Sequence, residues 1–165
     1  MGSVFITGGS RGIGAACVRA FAEAGRPAAF TYSARRDKAE ALAAETGALA
    51  LCADSADRDA VENAVKTARE SLGAIDTVVC NAGIAQQKLF QDITDDEWLT
   101  MLNVNLMGAV RTIRAALPDM LHRQKGSIVI VSSMWGERGA SCESHYAASK
   151  AALIGLSKSL ALELG

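Results

Sequence analysis

The sequence has little of several residue types, and each shortage excludes a class of protein. Among 165 residues there are only two prolines, two histidines and two tyrosines. No apolar run approaches the roughly 20 residues that span a bilayer. Acidic and basic side chains nearly balance, and the net charge of −1 offers no basic field to nucleic acid or to an anionic membrane. We therefore expect no nucleic-acid or membrane partner.

Cysteine is also scarce, and its spacing is uninformative. No C-x-x-C pair occurs, and the two histidines lie too far apart to suggest a metal site. Cys17, Cys52 and Cys80 lie within apolar segments, which predicts buried, reduced thiols. The N-terminal residues lack a signal-peptide pattern. These features predict a cytoplasmic protein without metal ions.

Half of the residues are hydrophobic, and short apolar runs alternate with helical patterns. The runs predict strands at 3–7, 28–32, 48–52, 77–80 and 127–133. Helices are predicted at 11–24, 36–46 and 57–72, as one long helix from a capping box at Thr94 to about Gln124, and from Ser144 onward. Because the strands are apolar on both faces, the alternation predicts one α/β domain over 1–165, a doubly wound parallel sheet covered by helices on both faces.

Such sheets bind ligands beyond the carboxyl ends of their strands. A glycine-rich turn, TGGSRGIG, follows the first strand and opens the first helix. Gly8, Gly12 and Gly14 lack side chains where a dinucleotide must lie close to the backbone, and the helix N-terminus offers N–H groups to its pyrophosphate. The glycine-rich turn alone is weak evidence for nucleotide binding, since many tight turns have similar sequences. Its position between the first strand and the first helix nevertheless predicts a nucleotide site.

The second strand ends in TYSARR, without the carboxylate that an NAD site uses to bind the ribose. Arg11, Arg35 and Arg36 instead place cations within reach of a 2′-phosphate, which favours NADPH. The alternative is that Arg35 and Arg36 are solvated residues at a helix start. Asp54 and the NAG segment 81–83 follow the third and fourth strands, and they are candidates for the adenosine or, alternatively, ordinary cap and turn residues.

The stretch SHYAASKAAL places Tyr146 and Lys150 one helical turn apart. An ammonium beside a phenol favours the ionised phenol, which makes it an acid–base catalyst near neutral pH. Ser133 ends the fifth strand and is a candidate to hold a carbonyl oxygen, and Asn105 in NVNLMG is a candidate to position a water. The alternative is a core tyrosine beside a solvated lysine, because such pairs are common.

Taken in order, these motifs resemble the short-chain dehydrogenase/reductase family with its T-G-x-x-x-G-x-G turn, here Thr7 to Gly14. The resemblance covers essentially the whole chain and implies a Rossmann fold that binds NADP(H) and reduces a carbonyl. It implies four catalytic residues: Asn105, Ser133, Tyr146 and Lys150. It also implies cofactor contacts from Tyr146 and Lys150 together with Thr7, Gly8, Ser10, Arg11, Gly12, Ile13, Gly14, Ser33, Arg35, Asp54, Asn81, Ala82 and Gly83.

Within the family, SRGIG, NVNLMG and YAASKAALIGLSKSLALEL most resemble the 3-oxoacyl-acyl-carrier-protein reductases of fatty acid biosynthesis. That likeness implies a homotetramer or dimer acting on a small or carrier-bound ketone. The segment MWGERGASCESHY instead resembles the elongation factor P 5-aminopentanone reductases. A catalytically silent NADP-binding module is the third interpretation.

The chain departs from the family pattern in three places. Cys80 stands where relatives often have a first asparagine before NAG, and His145 precedes the tyrosine, where we expect a structural role. Relatives continue past the position of Gly165 with another strand, a turn over the nicotinamide, a covering helix and a final edge strand. We therefore expect a C-terminally incomplete domain whose sheet lacks an edge partner and exposes apolar surface.

Overall fold

Five strands form where apolar runs occur in the sequence, with ends within three residues of those predicted. The computed structural model describes residues 2–165. The strands are β1 (Ser3–Ile6), β2 (Ala28–Tyr32), β3 (Leu49–Cys52), β4 (Ile75–Cys80) and β5 (Ser127–Ile130). The helices are α1 (Gly12–Glu23), α2 (Arg36–Thr46), α3 (Arg58–Leu72), α4 (Asp95–Leu102), α5 (Gly108–Arg123), α6 (Trp135–Arg138) and α7 (Ser144–Leu164).

All strand pairs are parallel, and their order across the sheet is β3-β2-β1-β4-β5. Successive side chains of a strand point to opposite faces, so each strand supplies two cores. Phe5 and Val78 pack in a core that includes residues of α3, α5 and α7. Val4 and Phe30 pack on the other side with residues of α1 and α2. The predicted doubly wound α/β fold is confirmed.

The winding direction reverses between β1 and β4. The chain passes from β1 outward to β2 and β3, then returns to the other side of β1 to form β4 and β5. Ile6 therefore has Phe30 as its partner on one side and Val79 on the other. Because the crossovers leave on opposite faces, a crevice opens beyond the carboxyl ends of β1 and β4.

The long helix predicted after Thr94 is interrupted. It begins with the predicted capping box, in which Thr94 N donates to Glu97 Oε2 at 2.8 Å and Glu97 N donates to Thr94 Oγ1 at 3.3 Å. A π-helical turn, Asn103–Met107, then separates α4 from α5. An apolar pattern does not register the extra residue that such a turn accommodates, although π-turns are frequent at functional sites.

Both edge strands are less covered than the central ones. Cys52 ends β3 and is exposed, whereas Cys80 in β4 is buried, so the prediction of a buried Cys52 is wrong. On β5, Val129 is 47% exposed, and within residues 2–165 no strand pairs with the outer side of β5. None of the helices in this part of the chain has the length and apolar composition needed to cross a bilayer.

Candidate active site

A cleft of ≈ 760 Å³ lies beyond the carboxyl ends of β1, β2, β3 and β4. Most residues predicted to contact a dinucleotide line it, and these are Gly8, Ser10, Arg11, Gly12, Ile13, Ser33, Arg35, Asp54, Asn81, Ala82 and Gly83. The structure therefore brings together side chains from four separate strand ends. The other predicted cofactor residues, Thr7, Gly14, Tyr146 and Lys150, are not among the lining residues.

The glycine-rich turn leaves no room for side chains behind the cleft and leaves space inside it. A Cβ on Gly14 would lie 2.2 Å from the carbonyl oxygen of Gly8. Gly12 has φ of +54°, and a Cβ there would meet nothing within 4 Å. Helix α1 begins at Gly12, and Arg11 before it provides no side-chain cap. The first N–H groups of α1 thus lack a capping side chain, and the turn fits a pyrophosphate.

Thr7 lies behind the cleft wall and joins two strand ends. It is 3% exposed, and its Oγ1 accepts hydrogen bonds from Asn81 N and Ala82 N, both at 3.0 Å. Asn81 Nδ2 donates two hydrogen bonds, to the carbonyl oxygens of Thr7 and Gly8, each at 3.0 Å. Thr7 therefore holds the NAG segment against the glycine-rich turn and shapes the cleft from outside it.

Two of the three predicted arginines line the cleft. Arg35 forms a bidentate ion pair with Asp37, in which Nε donates to Oδ1 at 3.1 Å and Nη2 donates to Oδ2 at 2.8 Å. This ion pair lowers the pKa of Asp37 to about 2. Arg36 pairs with Glu40 and does not line the cleft. Arg11 lines it and takes part in none of the ion pairs found in residues 2–165.

Lys150 connects α7 to the end of β5. Its Nζ donates to Val131 O at 3.0 Å, and its own carbonyl accepts from Ser132 Oγ at 2.8 Å. The residue is 4% exposed, and burial lowers the pKa of its ammonium group. A Cβ on Gly83 would lie 3.4 Å from Lys150 Nζ, so the ammonium stands directly behind the cleft wall.

Tyr146 lies one turn before Lys150, with Lys150 Nζ 5.8 Å from the centre of its ring. Ser133 follows Ser132, which is bonded to α7, and Ser133 Oγ accepts from Trp135 N at 3.2 Å. The structure thus brings the end of β5 to the helix that carries the tyrosine and the lysine. A hydroxyl, a phenol and an ammonium in one region can bind and protonate a carbonyl oxygen.

Asn105 lies in the π-turn, 1% exposed, and its side-chain amide is fully bonded. Its Oδ1 accepts from Ile84 N at 2.8 Å, while its Nδ2 donates to Ile84 O and to Ser149 Oγ, both at 3.0 Å. The side chain predicted to position a water therefore joins the segment after β4 to α7.

Sequence reasoning missed several residues that line the cleft, namely Thr31, Tyr32, Ala34, Ala53, Ser55, Ile84, Thr100 and Val104. Six of these lie within two positions of predicted residues at the ends of β2, β3 and β4, and that proximity in sequence was the available signal. Thr100 and Val104 come from α4 and the π-turn, and only the tertiary structure places them there.

A model of the short chain dehydrogenase family matches residues 3–165. The chain is 39% identical over 160 residues to an acetoacetyl-CoA reductase of Synechocystis sp., covering 97% of this chain and 64% of that protein. It is 37% identical over 167 residues to the 3-oxoacyl-acyl-carrier-protein reductase FabG of Staphylococcus aureus, covering 98% and 68%. The chain thus spans about two thirds of the length of these curated relatives.

Among solved structures, a short chain dehydrogenase from Burkholderia cenocepacia in complex with NADP superposes on the chain with a TM-score of 0.91. The two sequences are 38% identical, and the match covers 99% of this chain and 69% of the other. The likeness therefore extends over almost all of the fold described above.

Replacing Thr7 with valine should destabilise the protein, because the partly buried N–H groups of Asn81 and Ala82 lose their acceptor. We expect Thr7→Val to lower the free energy of unfolding by about 2 to 4 kcal/mol. Thr7→Ser keeps the oxygen and should cost about 1 kcal/mol. Urea denaturation of both variants measures the difference, and equal stabilities would contradict this assignment.

The buried ammonium predicts a pH-dependent stability. Because burial lowers the pKa of Lys150 below its ordinary 10.5, the unfolded chain binds more protons between the folded pKa and 10.5, and stability rises with pH across that interval. Relative to Lys150→Met, the wild-type protein should therefore gain stability as pH rises from the folded pKa of Lys150 towards 10.5. Urea denaturation at several pH values measures this difference. The exposed Lys158→Met, on the same helix, is the control, and a pH-independent difference for Lys150→Met would contradict the prediction.

Proposed function

Because the chain belongs to the short-chain dehydrogenase family, we propose that its protein is an NADPH-dependent reductase that converts 3-oxoacyl thioesters to 3-hydroxyacyl thioesters. The observation that carries the proposal is the buried Lys150 ammonium, bonded to the end of β5 and one turn from Tyr146. A cleft with a glycine-rich turn adjoins it. Two relatives are named as reductases of such thioesters, which supports the choice of substrate class.

In the proposed reaction, Ser133 donates a hydrogen bond to the ketone oxygen, and Tyr146 donates its phenolic proton to the same oxygen. The nicotinamide, when bound, supplies the hydride that becomes the new C–H bond. The electron pair of the C=O double bond moves to oxygen, which takes the proton from Tyr146. Lys150 stabilises the negative charge left on the phenol oxygen, since its ammonium lies next to that ring.

For Asn105 we propose a supporting role. Its side chain bonds both to Ile84, which lines the cleft, and to Ser149, which lies on the same helix as Tyr146. Through these bonds Asn105 fixes the distance between the cleft wall and the helix of the phenol. Moving a reacting group by about 1 Å is enough to slow an enzyme severely.

For the cofactor, we propose NADPH in preference to NADH. Arg11 and Arg35 bring cations to the cleft beside the end of β2, where the sequence has no carboxylate to bind a ribose hydroxyl. A 2′-phosphate would replace Asp37 as the partner of the Arg35 guanidinium, or add to it, through charge-assisted hydrogen bonds. The NADP complex of the Burkholderia cenocepacia relative supports the same choice.

The reaction predicts that Tyr146→Phe loses at least about 100-fold in kcat for acetoacetyl-CoA, because the proton donor is gone. The Kd for NADPH should change by less than about threefold, since Tyr146 is not among the residues that line the cleft. NADPH absorbance during turnover measures kcat, and fluorescence titration measures the Kd for NADPH. If the protein turns over only a ketone carried by elongation factor P, the proposed thioester substrate is wrong. If it binds NADPH without any turnover, it is a catalytically silent NADP-binding module.

The cofactor proposal predicts that Arg35→Asp shifts the ratio of kcat/KM from NADPH towards NADH by about tenfold or more, because a charge-assisted bond to phosphate becomes a repulsion. Arg36→Asp makes the same charge change one position along, outside the cleft, and is the matched control. If the two variants shift the ratio equally, Arg35 does not bind the 2′-phosphate.

A further inference from the structure

A chain of polar side chains extends away from Tyr146. His145, the residue before it, is fully buried in the first turn of α7, and its Nε2 lies 2.9 Å from Gln86 Oε1. Gln86 Nε2 donates to Glu97 Oε1 at 2.8 Å. Lys88 Nζ donates to both carboxylate oxygens of Glu97, at 2.8 and 2.7 Å. Three separate elements therefore meet at His145: α7, α4 and the segment after β4.

The donor and acceptor of each hydrogen bond in this series of side chains follow from the carboxylate of Glu97 at its end. Glu97 accepts from Lys88, from Thr94 N and from Gln86, and these bonds lower its pKa to about 2. A carboxylate there accepts only, so Gln86 turns its NH₂ group to Glu97 and its oxygen to His145. His145 Nε2 must then carry a hydrogen and donate it to Gln86 Oε1. Nδ1 is buried, and no side chain or backbone group in residues 2–165 bonds to it.

The first turn of α7 has no side-chain cap at its N-terminus. Glu143 precedes the helix and provides no capping hydrogen bond, and its carboxylate instead accepts from Gln87 Nε2 at 3.3 Å. Trp98 of α4 packs edge-on against the His145 ring, with 5.7 Å between ring centres. On the far side of Tyr146, Ser149 Oγ donates to Tyr146 O at 2.7 Å and accepts from Asn105. The tyrosine is thus flanked by one anchor at His145 and one at Ser149.

We propose that His145, held by Gln86 and Glu97, is a positioning residue that fixes the start of α7 and thereby the phenol of Tyr146. The inference rests on the proposed catalytic role of Tyr146. Helix ends move easily when their backbone groups lack partners, and an uncapped first turn would let the phenol shift. The bond from His145 to Gln86 prevents that shift by connecting the turn to α4 through a charge-assisted bond at Glu97.

Two substitutions at His145 separate positioning from packing. His145→Phe keeps a ring against Trp98 and removes the donor, whereas His145→Gln places an amide N–H close to the position of Nε2. We expect His145→Phe to lower kcat about tenfold while KM and the Kd for NADPH stay within about twofold. His145→Gln should recover kcat to within about threefold of wild type. Gln86→Leu should reproduce the loss, and combining it with His145→Phe should add nothing further.

The exposed His122→Phe on α5 is the matched control, and it should leave kcat unchanged. A wild-type kcat in His145→Phe would overturn the proposal. Equal losses in His145→Gln and His145→Phe would do the same. So would a fall in kcat only in proportion to a loss of NADPH binding, because that result describes general damage to the fold.

A second readout needs no turnover. The chain has two tyrosines, Tyr32 and Tyr146, so protein labelled with 3-fluorotyrosine gives two ¹⁹F resonances, which Tyr146→Phe assigns. We expect His145→Phe to shift or broaden the Tyr146 resonance and His145→Gln to restore it, while Tyr32 serves as the internal reference. An unchanged Tyr146 resonance in His145→Phe would overturn the proposal. If wild type reduces no thioester but the resonance still responds, only the proposed function fails.

Discussion

The parallel pairing of β1 with both β2 and β4 is the constraint on which the rest of the structure depends. It makes the chain reverse its winding direction at β1, and the crossover helices then leave a crevice beyond that strand. Thr7 fixes the two walls of the crevice relative to each other, because its hydroxyl accepts from the two backbone N–H groups that follow β4. The glycine-rich turn, the NAG segment and the first turn of α1 all take their positions from this junction.

The part of the site around α7 contains polar side chains whose burial costs solvation free energy. Lys150, Asn105, His145 and Ser149 are polar and almost fully buried, and such groups destabilise a fold unless they are hydrogen-bonded. Each of them has a partner on another element, so the cost is partly offset by bonds that join α7 to the end of β5, to the π-turn and to the segment after β4. Networks of this kind hold one geometry, because losing any member leaves the others unpaired. That rigidity suits the role proposed for α7, which is to present the phenol of Tyr146 at a fixed place.

Much of this was predictable from local patterns. The strand and helix positions follow from apolar runs that end at glycines, and the capping box at Thr94 is visible as a spacing. Most of the cleft lining was also predictable, since residues after parallel strands meet at one edge of the sheet. The π-turn at 103–107 was not, because one extra residue in a turn barely changes the hydrophobic pattern. Nor was the exposure of Cys52, which depends on β3 lying at the edge of the sheet.

The sequence by itself determined the fold class, the glycine-rich turn and the spacing of Tyr146 and Lys150 by one helical turn, because each is encoded by residues close together in the chain. Only the tertiary structure decided what the buried polar groups do. In the folded protein, Thr7 bonds to the backbone that follows β4, and the Asn105 side chain bonds to Ile84 and Ser149. His145 is connected through Gln86 to Glu97. Partners for a buried hydrogen-bonding group are chosen by distance in space, and residues tens of positions apart in sequence are brought within 3 Å only by the packing of the sheet and its helices.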